Sequence, residues 1–241
     1  MMEFVQSWPA FIGFIAFFLA VVYFYFRISR KKGFGEFSVG ISYRDLYAFI
    51  LVVVPVTAMM AYFVMSLGLG KVMVGGQPVY WIRYFEWAVT TPLLVLGVMI
   101  LTQKAELSVR MMLIDVLMIL TGLAAAITTS GLSIGFFVLS SAFFAYLVYA
   151  MIAYTGDIVY ERPKAISVVY KRLRNVILGV WSAYPILYLL GNRGTGILTF
   201  EQTNTVFLVL DLSAKIGFAF VVLLSLEQVD DFELDMDLEG M

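Results

Sequence analysis

The sequence contains no cysteine and no histidine. A chain without these residues cannot form disulfides, Cys/His zinc or iron sites, a haem ligated by either residue, a thiol nucleophile or a Ser-His-Asp triad. Any proton chemistry must therefore be carried out by carboxylates, lysine, tyrosine and water.

Charged residues are also scarce, at 14% of the chain, whereas 62% of the 241 residues are hydrophobic. Soluble domains are about half apolar and about a quarter charged, so this composition is typical of a protein embedded in a lipid bilayer. The formal net charge of −1 leaves no basic surface for nucleic acid, and we expect no such partner. The composition excludes a soluble enzyme, and we predict a non-enzymatic, multi-pass protein of the plasma membrane.

Seven apolar stretches are long enough to cross the hydrocarbon core as helices, which takes about 20 residues. The gaps between them are too short for a second domain, so the sequence predicts an all-α membrane protein, a seven-helix bundle over residues 1–226. The acidic stretch 227–241 contains no basic residue and is expected to form a solvated, disordered tail. The predicted spans lie near 8–28, 43–66, 80–102, 109–128, 132–154, 170–191 and 201–226.

The basic residues indicate how the bundle is oriented, because Lys and Arg accumulate in short cytoplasmic loops. Twelve of the 16 flank the first, third and fifth loops, whereas the loops on the opposite side carry only Lys71 and Arg193. We therefore expect the N-terminus outside and the C-terminus inside. The second loop, 71–80, predicts either a β-hairpin around Gly75 and Gly76 over the outer face or an irregular surface loop.

A few charged residues fall inside the predicted spans, where a charge costs several kcal/mol and is a candidate for function. Lys215 lies near the middle of the seventh span, roughly 16 Å or more from either surface, which is too far for its ammonium group to reach water easily. Asp211 precedes it by one helical turn and shares its face. The charged residues at mid-membrane depth are Arg83, Glu86, Asp115, Asp211 and Lys215.

On the third span, Arg83, Glu86 and Thr90 are spaced three and four apart and form a second polar stripe. If the two stripes face each other, they bring together two cations and two anions, which can be buried because the group is neutral overall. A lysine in such a group is either a salt-bridged ammonium or the protonated imine of an aldehyde. The imine requires a desolvated amine and a nearby carboxylate, and both are present here.

Aromatic residues accompany the polar stripes and favour an aldehyde pocket over simple packing. Trp87 directly follows Glu86 on the third span, and Tyr62 adds a hydroxyl group from the second. The sixth span carries Trp181, Tyr184 and Pro185 in a single stretch.

Three groups of residues resemble the microbial rhodopsins, and among them the archaeal bacteriorhodopsin-like branch. They are 80–92 (YWIRYFEWAVTTP) on the third span, 173–176 (LRNV) with 181–185 (WSAYP) on the sixth, and 210–217 (LDLSAKIG) on the seventh. The resemblance covers nearly all seven spans. It implies all-trans retinal bound to Lys215 as a protonated Schiff base, with Glu86 and Asp211 as counterions and Arg83 on their outer side.

The resemblance also implies the surroundings of the retinal. Trp87 and Trp181 should sandwich the polyene, while Tyr62, Tyr184 and Asp211 should share a hydrogen-bond network. Asp115 matches an acid that the family usually keeps protonated, so a neutral structural carboxyl is expected there. Relatives commonly form trimers or pentamers, and we expect a homo-oligomer. The remaining pocket residues are Thr90, Thr91, Met118, Gly122, Ser141 and Pro185.

Several positions depart from the pattern of the family. The usual counterion acid on the third helix is Asp, and here it is Glu86; chloride-pumping relatives carry a small neutral residue there, so Glu86 argues against chloride pumping. The sodium-pump pattern of Asn and Gln is not matched by Thr90 and Gly97. Gly97 also occupies the position of the internal carboxylate that normally returns the proton. Arg193 and Thr203 stand where outer release acids are usual.

These features leave two photochemical interpretations and one other. The first is a light-driven outward proton pump with Glu86 as the proton acceptor, favoured by Arg83, Thr90 and Ala214. The second is a sensory rhodopsin with a slow photocycle that signals to a separate transducer, favoured by Gly97 and the missing release acids. The third is a seven-helix receptor or transporter without photochemistry, which would have no reason to bring Asp211, Lys215 and Glu86 together.

Overall fold

The computed structural model describes residues 8–30 and 43–229. The prediction of an acidic, disordered tail falls largely outside these residues, as do Lys31 and Lys32 of the first loop. Within the described residues, seven helices are long and apolar enough to cross a membrane. The prediction of a seven-helix bundle is therefore confirmed.

The seven helices, named α1 to α7, differ in their regularity. Three are uninterrupted: α1 (Trp8–Ser29), α2 (Tyr43–Ser66) and α4 (Ala105–Ile127). The other four change along their length. They are α3 (Trp81–Met99, then a 3₁₀ turn Ile100–Thr102), α5 (Leu132–Tyr149, a π-helical turn Ala150–Tyr154, then Thr155–Tyr160), α6 (Lys164–Trp181, then Ala183–Leu190) and α7 (Phe200–Leu212, a π-helical turn Ser213–Gly217, then Phe218–Val229).

Two helices begin earlier than the apolar stretches predict. Helix α4 begins at Ala105 rather than at 109, and α6 begins at Lys164 rather than at 170. The first turns of both helices carry charged residues, which end an apolar stretch but do not interrupt helical hydrogen bonding. Hydropathy therefore marks where a helix enters the hydrocarbon, whereas the helix itself continues beyond it.

The loop between α2 and α3 is a β-hairpin, which decides between the two interpretations of this segment. Strand β1 (Lys71–Val74) pairs antiparallel with β2 (Gln77–Tyr80), with Val74 opposite Gln77. Gly75 and Gly76 connect the strands at φ values of 57° and 76°. Two consecutive positive φ values are typical of a two-residue type I′ turn, and glycine adopts them without strain.

The helices form a closed ring in chain order, each packed against the next, with α7 returning to α1. Helix α3 is the most buried of them and supplies Arg83, Glu86, Trp87, Thr90 and Thr91 to the interior. The outward faces carry large exposed side chains such as Leu19, Leu113 and Ile134. Such an apolar exterior is what a bundle in lipid requires.

Two local irregularities shape the helices that face the centre. Helix α6 is interrupted at Ser182, where Pro185 lacks the N–H that would bond to the carbonyl of Trp181. In α7, Lys215 lies within the π-helical turn. Single π-helical turns inside α-helices occur frequently at functional sites.

Arg193 joins three elements at the hairpin end of the bundle. Its guanidinium donates hydrogen bonds to the carbonyl oxygens of Val74 (3.1 Å), Ala126 (2.9 Å) and Thr128 (2.8 Å). These acceptors belong to β1 and to the C-terminal end of α4, whose carbonyls lack partners within the helix. Arg193 stands where related proteins usually have an acid that releases the proton, and in this structure it acts as a structural cation.

We predict that Arg193→Leu destabilises the bundle, because it leaves three carbonyl oxygens without their charged donor. The expected loss is about 1–3 kcal/mol in the free energy of unfolding, measured as a lower thermal midpoint in detergent. Arg110→Leu is the control, because Arg110 is exposed and its ion pair within the described residues is with Glu106; such surface pairs contribute about 0–1 kcal/mol. Equal midpoints for the two variants would contradict the role of Arg193.

Candidate functional site

The centre of the bundle contains a buried lysine between two carboxylates. Lys215 Nζ lies 3.0 Å from Glu86 Oε2 and 3.2 Å from Asp211 Oδ1. The three side chains are at most 2% exposed. Asp211 and Lys215 come from one face of α7, and Glu86 comes from α3, so the two polar stripes predicted from the sequence do face each other.

Asp211 is surrounded by hydrogen-bond donors from three helices. Its Oδ2 accepts from Tyr62 (2.7 Å) and from Arg83 Nη1 (3.2 Å). Its Oδ1 accepts from Tyr184 (2.8 Å) and from Trp87 Nε1 (3.0 Å), besides facing Lys215. The network predicted for Tyr62, Tyr184 and Asp211 is therefore present, and it also includes Trp87.

Glu86 has fewer donors than Asp211. Thr90 Oγ1 donates to its Oε1 at 2.9 Å, and Lys215 donates to its Oε2. With Arg83 the group contains two cations and two carboxylates, a neutral set that suits its burial. The two carboxylates thus share Lys215 but differ in how many neutral donors fix them.

Arg83 connects this group to the hairpin end of the bundle. Besides Asp211, it donates to Tyr62 OH (3.2 Å) and to Asn204 Oδ1 (3.0 Å). Its guanidinium carbon also lies 4.8 Å from the centre of the Phe207 ring, which is a cation–π distance. Sequence reasoning missed Asn204, although it precedes Asp211 by seven residues, two helical turns on the same face of α7.

A cavity extends from Lys215 between helices α3 to α7. It contains about 840 Å³ of space that protein atoms do not fill, including its open mouth. Its walls are mostly aromatic and aliphatic, and its polar end is the pair Asp211 and Lys215. The residues predicted for a retinal pocket that line this cavity are Trp87, Thr91, Met118, Gly122, Ser141, Trp181, Tyr184, Pro185, Asp211 and Lys215.

The other predicted residues, Tyr62, Arg83, Glu86 and Thr90, lie in the polar network at the lysine end rather than along the cavity. Sequence reasoning missed several wall residues, most of them aromatic. The spacing of an aromatic residue in an apolar span does not show whether its side chain faces lipid or the interior. The missed wall residues include Tyr84, Phe137, Ser140, Phe144, Tyr188 and Phe207.

The residues present fit a long apolar aldehyde bound to Lys215. A Cβ added at Gly122 would approach Ser140 Oγ to 3.3 Å, so the glycine keeps space free at the cavity wall. Lys215 is the lysine that lines the cavity, and two carboxylates stand beside its nitrogen, where they can balance the positive charge of a protonated imine. These observations agree with a covalent site for a linear, apolar cofactor.

Asp115 lies beside the cavity and has no charged partner in the described part of the chain. It is completely buried, and its Oδ2 accepts a hydrogen bond from Thr91 at 2.6 Å. Its Oδ1 has no partner. The sequence-based expectation of a neutral carboxyl is compatible with this contact and stays a prediction.

Gly97 lies on the side of the group away from the hairpin, among apolar residues. A Cβ at this position would lie 2.9 Å from Phe218 Cζ and 3.4 Å from Ile50 Cδ1. Its carbonyl accepts a hydrogen bond from Tyr47 at 2.6 Å. A carboxylate side chain at residue 97 would therefore require its neighbours to move.

A seven-helix membrane bundle with a buried lysine between two carboxylates, at the end of an aromatic cavity, has the fold and site of a retinal-binding photoprotein. Comparison with known proteins agrees. Residues 11–229 match the family model described as "Bacteriorhodopsin-like protein". A bacteriorhodopsin of Halobacterium salinarum is 37% identical over 78% of this chain and 75% of its own length.

Two further comparisons extend this similarity. Sensory rhodopsin-2 of Haloarcula vallismortis is 32% identical over 73% of this chain and 76% of its own length. The crystal structure of the thermophilic rhodopsin from Rubrobacter xylanophilus superimposes with a TM-score of 0.84 at 29% identity, covering 94% of this chain and 98% of that one. The chain belongs to the bacteriorhodopsin-like family of microbial rhodopsins. Its cofactor is all-trans retinal, and Lys215 offers the amine for the Schiff-base linkage.

We predict that Lys215→Ala abolishes the visible absorption band that appears when the purified wild-type protein is incubated with retinal. The variant removes the amine that lines the cavity. Lys104→Ala, which changes a lysine outside the site, should keep the band. A visible band of full intensity in Lys215→Ala, with helical content unchanged by circular dichroism, would contradict the assignment of the linkage.

Proposed function

We propose that this protein is a light-driven outward proton pump in which Glu86 accepts the proton held at Nζ of Lys215. The observation that carries the proposal is the 3.0 Å contact between this nitrogen and Glu86 Oε2, because a proton can pass across it without an intervening group. Retinal supplies light absorption and a light-driven change of shape; the protein supplies the path of the proton.

The difference between the two carboxylates supports Glu86 rather than Asp211 as the acceptor. Asp211 accepts hydrogen bonds from four donors, Tyr62, Tyr184, Trp87 and Arg83. These donors stabilise the ionised carboxylate, so protonation of Asp211 would weaken several hydrogen bonds. Glu86 accepts one neutral hydrogen bond to its carboxylate, from Thr90, besides that from Lys215. Asp211 then serves as the fixed counterion that stays charged.

An onward route from Glu86 toward the hairpin end is polar. Arg83 and Asn204 lead to a second cavity, whose walls include Asn192, Arg193 and Thr203. In the opposite direction, the side chains around Gly97 are mostly apolar, among them Ile50 and Phe218, and the nearby hydroxyl of Tyr47 is bonded to the Gly97 carbonyl. This asymmetry favours proton exit at the hairpin end.

The placement of basic residues supports an outward direction. The loops at the hairpin end carry two basic residues, Lys71 and Arg193. Most of the other basic residues lie at the opposite end, for example at the beginning of α6. By the positive-inside rule, the hairpin faces outward and the N-terminus lies outside. A proton that leaves at the hairpin end then leaves the cell.

We predict that illuminated cells expressing the protein acidify their medium, and that Glu86→Gln abolishes the acidification while the visible band is retained. An uncoupler should collapse the pH change. Glu106→Gln is the matched control, because Glu106 is exposed at the membrane surface and pairs with Arg110; it should transport like the wild type. The absence of a light-driven pH change, or transport that survives Glu86→Gln, would refute the proposal.

The lack of a carboxylate at Gly97 leads to a second prediction. A small diffusible acid such as azide should speed recovery of the visible band after a flash, because no fixed donor returns the proton to Nζ of Lys215 from that side. Recovery should also slow as the pH rises, because protons must come from bulk water. Recovery that depends on neither azide nor pH would reveal a donor elsewhere in the chain.

Sensory signalling through a separate transducer is the second candidate function. It is favoured by Gly97 and by the similarity to a sensory rhodopsin-2. A sensor would recover slowly and bind a membrane partner that co-purifies with it, whereas a pump would recover quickly and transport protons in isolation. The light-driven pH measurement therefore separates the two candidates.

A further inference from the structure

A third cavity lies between α5 and α6 at the end of the bundle opposite the hairpin, remote from the retinal site and from the cavity at the hairpin end. Helix α5 contributes Gly156, whose added Cβ would meet nothing closer than Tyr160 Cε2 at 4.0 Å. The space that protein atoms leave free amounts to about 540 Å³, including its mouth. Its walls are formed by Ile152, Gly156, Val159, Tyr160, Ser167, Tyr170, Lys171 and Arg174.

The π-helical turn Ala150–Tyr154 contributes Ile152 to the α5 wall of this cavity. A π-helical turn inserts an extra residue into the turn and shifts the side chains that follow it. Gly156 then brings no side chain to the wall. The helices are held together here by Tyr170, whose hydroxyl contacts Thr155 and the carbonyl of Met151.

Two cations border the cavity without a carboxylate partner in the described part of the chain. Lys171 Nζ lies 4.3 Å from the centre of the Tyr160 ring. Arg174 donates to the amide oxygen of Asn175, at 3.0 and 3.2 Å, and lies over the Tyr170 ring. The nearby acidic residues are Asp157, in the last turns of α5, and Glu161, directly after it; both are exposed, and neither lines the cavity. Among the residues that the structure describes, the cavity therefore presents two positive charges without a carboxylate beside them.

The depth of these cations points to the edge of the hydrocarbon core. Arg174 lies seven residues before Trp181, about 10 Å along α6, and Lys171 lies about 15 Å from it, which is about half the thickness of the core. Trp181 lines the retinal cavity near the middle of the bundle. Exposed Tyr154 and Tyr160 on α5 are typical of side chains at the membrane interface.

We propose that this cavity binds the phosphate group of an anionic phospholipid, with Lys171 and Arg174 as its charge partners. Arg174 can offer a forked pair of donors to phosphate oxygens, and Lys171 a point charge at the membrane edge. The apolar walls, Ile152 and Val159, suit the glycerol and upper acyl region of a lipid better than a free phosphate ion. The lipid would add a link between α5 and α6 beside the hydrogen bonds of Tyr170.

The test measures lipid retention by native mass spectrometry of the retinal-loaded protein, purified with equal amounts of phosphatidylglycerol and phosphatidylcholine. We expect the wild type to retain phosphatidylglycerol in preference to phosphatidylcholine. Lys171→Gln and Arg174→Gln should each weaken retention about fivefold, the effect of one interfacial cation. Arg110→Gln removes a cation from the same end of the bundle and should leave retention unchanged.

Two further variants separate charge from shape. Lys171→Arg keeps the charge and should retain the lipid, whereas Gly156→Leu fills the cavity without altering charge and should reduce retention. All variants should keep the visible band, which shows that they are folded. Should Arg174→Gln fail to fold, Lys171→Gln and Gly156→Leu carry the test.

The proposal is overturned if the double variant Lys171→Gln, Arg174→Gln retains phosphatidylglycerol like the wild type, or if Arg110→Gln loses it equally. A millimolar excess of inorganic phosphate should not displace the lipid. Displacement would assign the cavity to a free phosphate ion and would likewise overturn the lipid proposal.

Discussion

The ion cluster at the centre of the bundle is the constraint on which the rest of the structure depends. Lys215 lies between Glu86 and Asp211, and Arg83 lies on the far side of Asp211, so two cations and two carboxylates are buried together in the interior of the bundle. Removing one partner of a buried ion pair typically costs about 3–5 kcal/mol, because the remaining charge loses its compensation. The surrounding donors fit this demand: they come from α2, α3 and α6, and most of them converge on Asp211.

Because most donors converge on Asp211, the two carboxylates differ in how firmly their charged forms are stabilised. Asp211 is fixed by neutral and charged donors, whereas Glu86 has a single neutral donor, Thr90, besides the lysine it faces. A symmetric pair would offer a proton no preferred destination. The polar side of the bundle, with Arg83 and Asn204, and the apolar side around Gly97 extend the same asymmetry along the membrane normal.

The sequence predicts the polar network well, because charges inside apolar spans are few and each needs a partner. Helical spacing alone places Asp211 with Lys215, and Arg83 with Glu86 and Thr90, on common faces. Asn204 carries the same kind of signal, two turns from Asp211, but an amide in a span costs less than a charge and is easier to overlook. The aromatic residues Trp87, Trp181 and Tyr184 were visible in the sequence beside these polar stripes, and the family resemblance assigned them to the retinal pocket.

Other features depend on packing that the sequence does not express. Phe137 and Phe207 line the cavity, yet in a chain with 21 phenylalanines nothing in their spacing separates them from those that face lipid. The π-helical turn at Lys215 does not alter the apolar pattern of α7. The early beginnings of α4 and α6 were missed because their first turns are charged, and hydropathy reports the membrane rather than the helix.

The central claim, that Glu86 receives the proton from the nitrogen of Lys215, is tested most directly by time-resolved infrared spectroscopy on protein labelled with ¹³C in its glutamate carboxyl groups. The account predicts that the carbonyl stretch of a protonated carboxyl appears as the visible band disappears, and that glutamate labelling shifts it. A band of that timing that shifts only when aspartate is labelled would contradict the account.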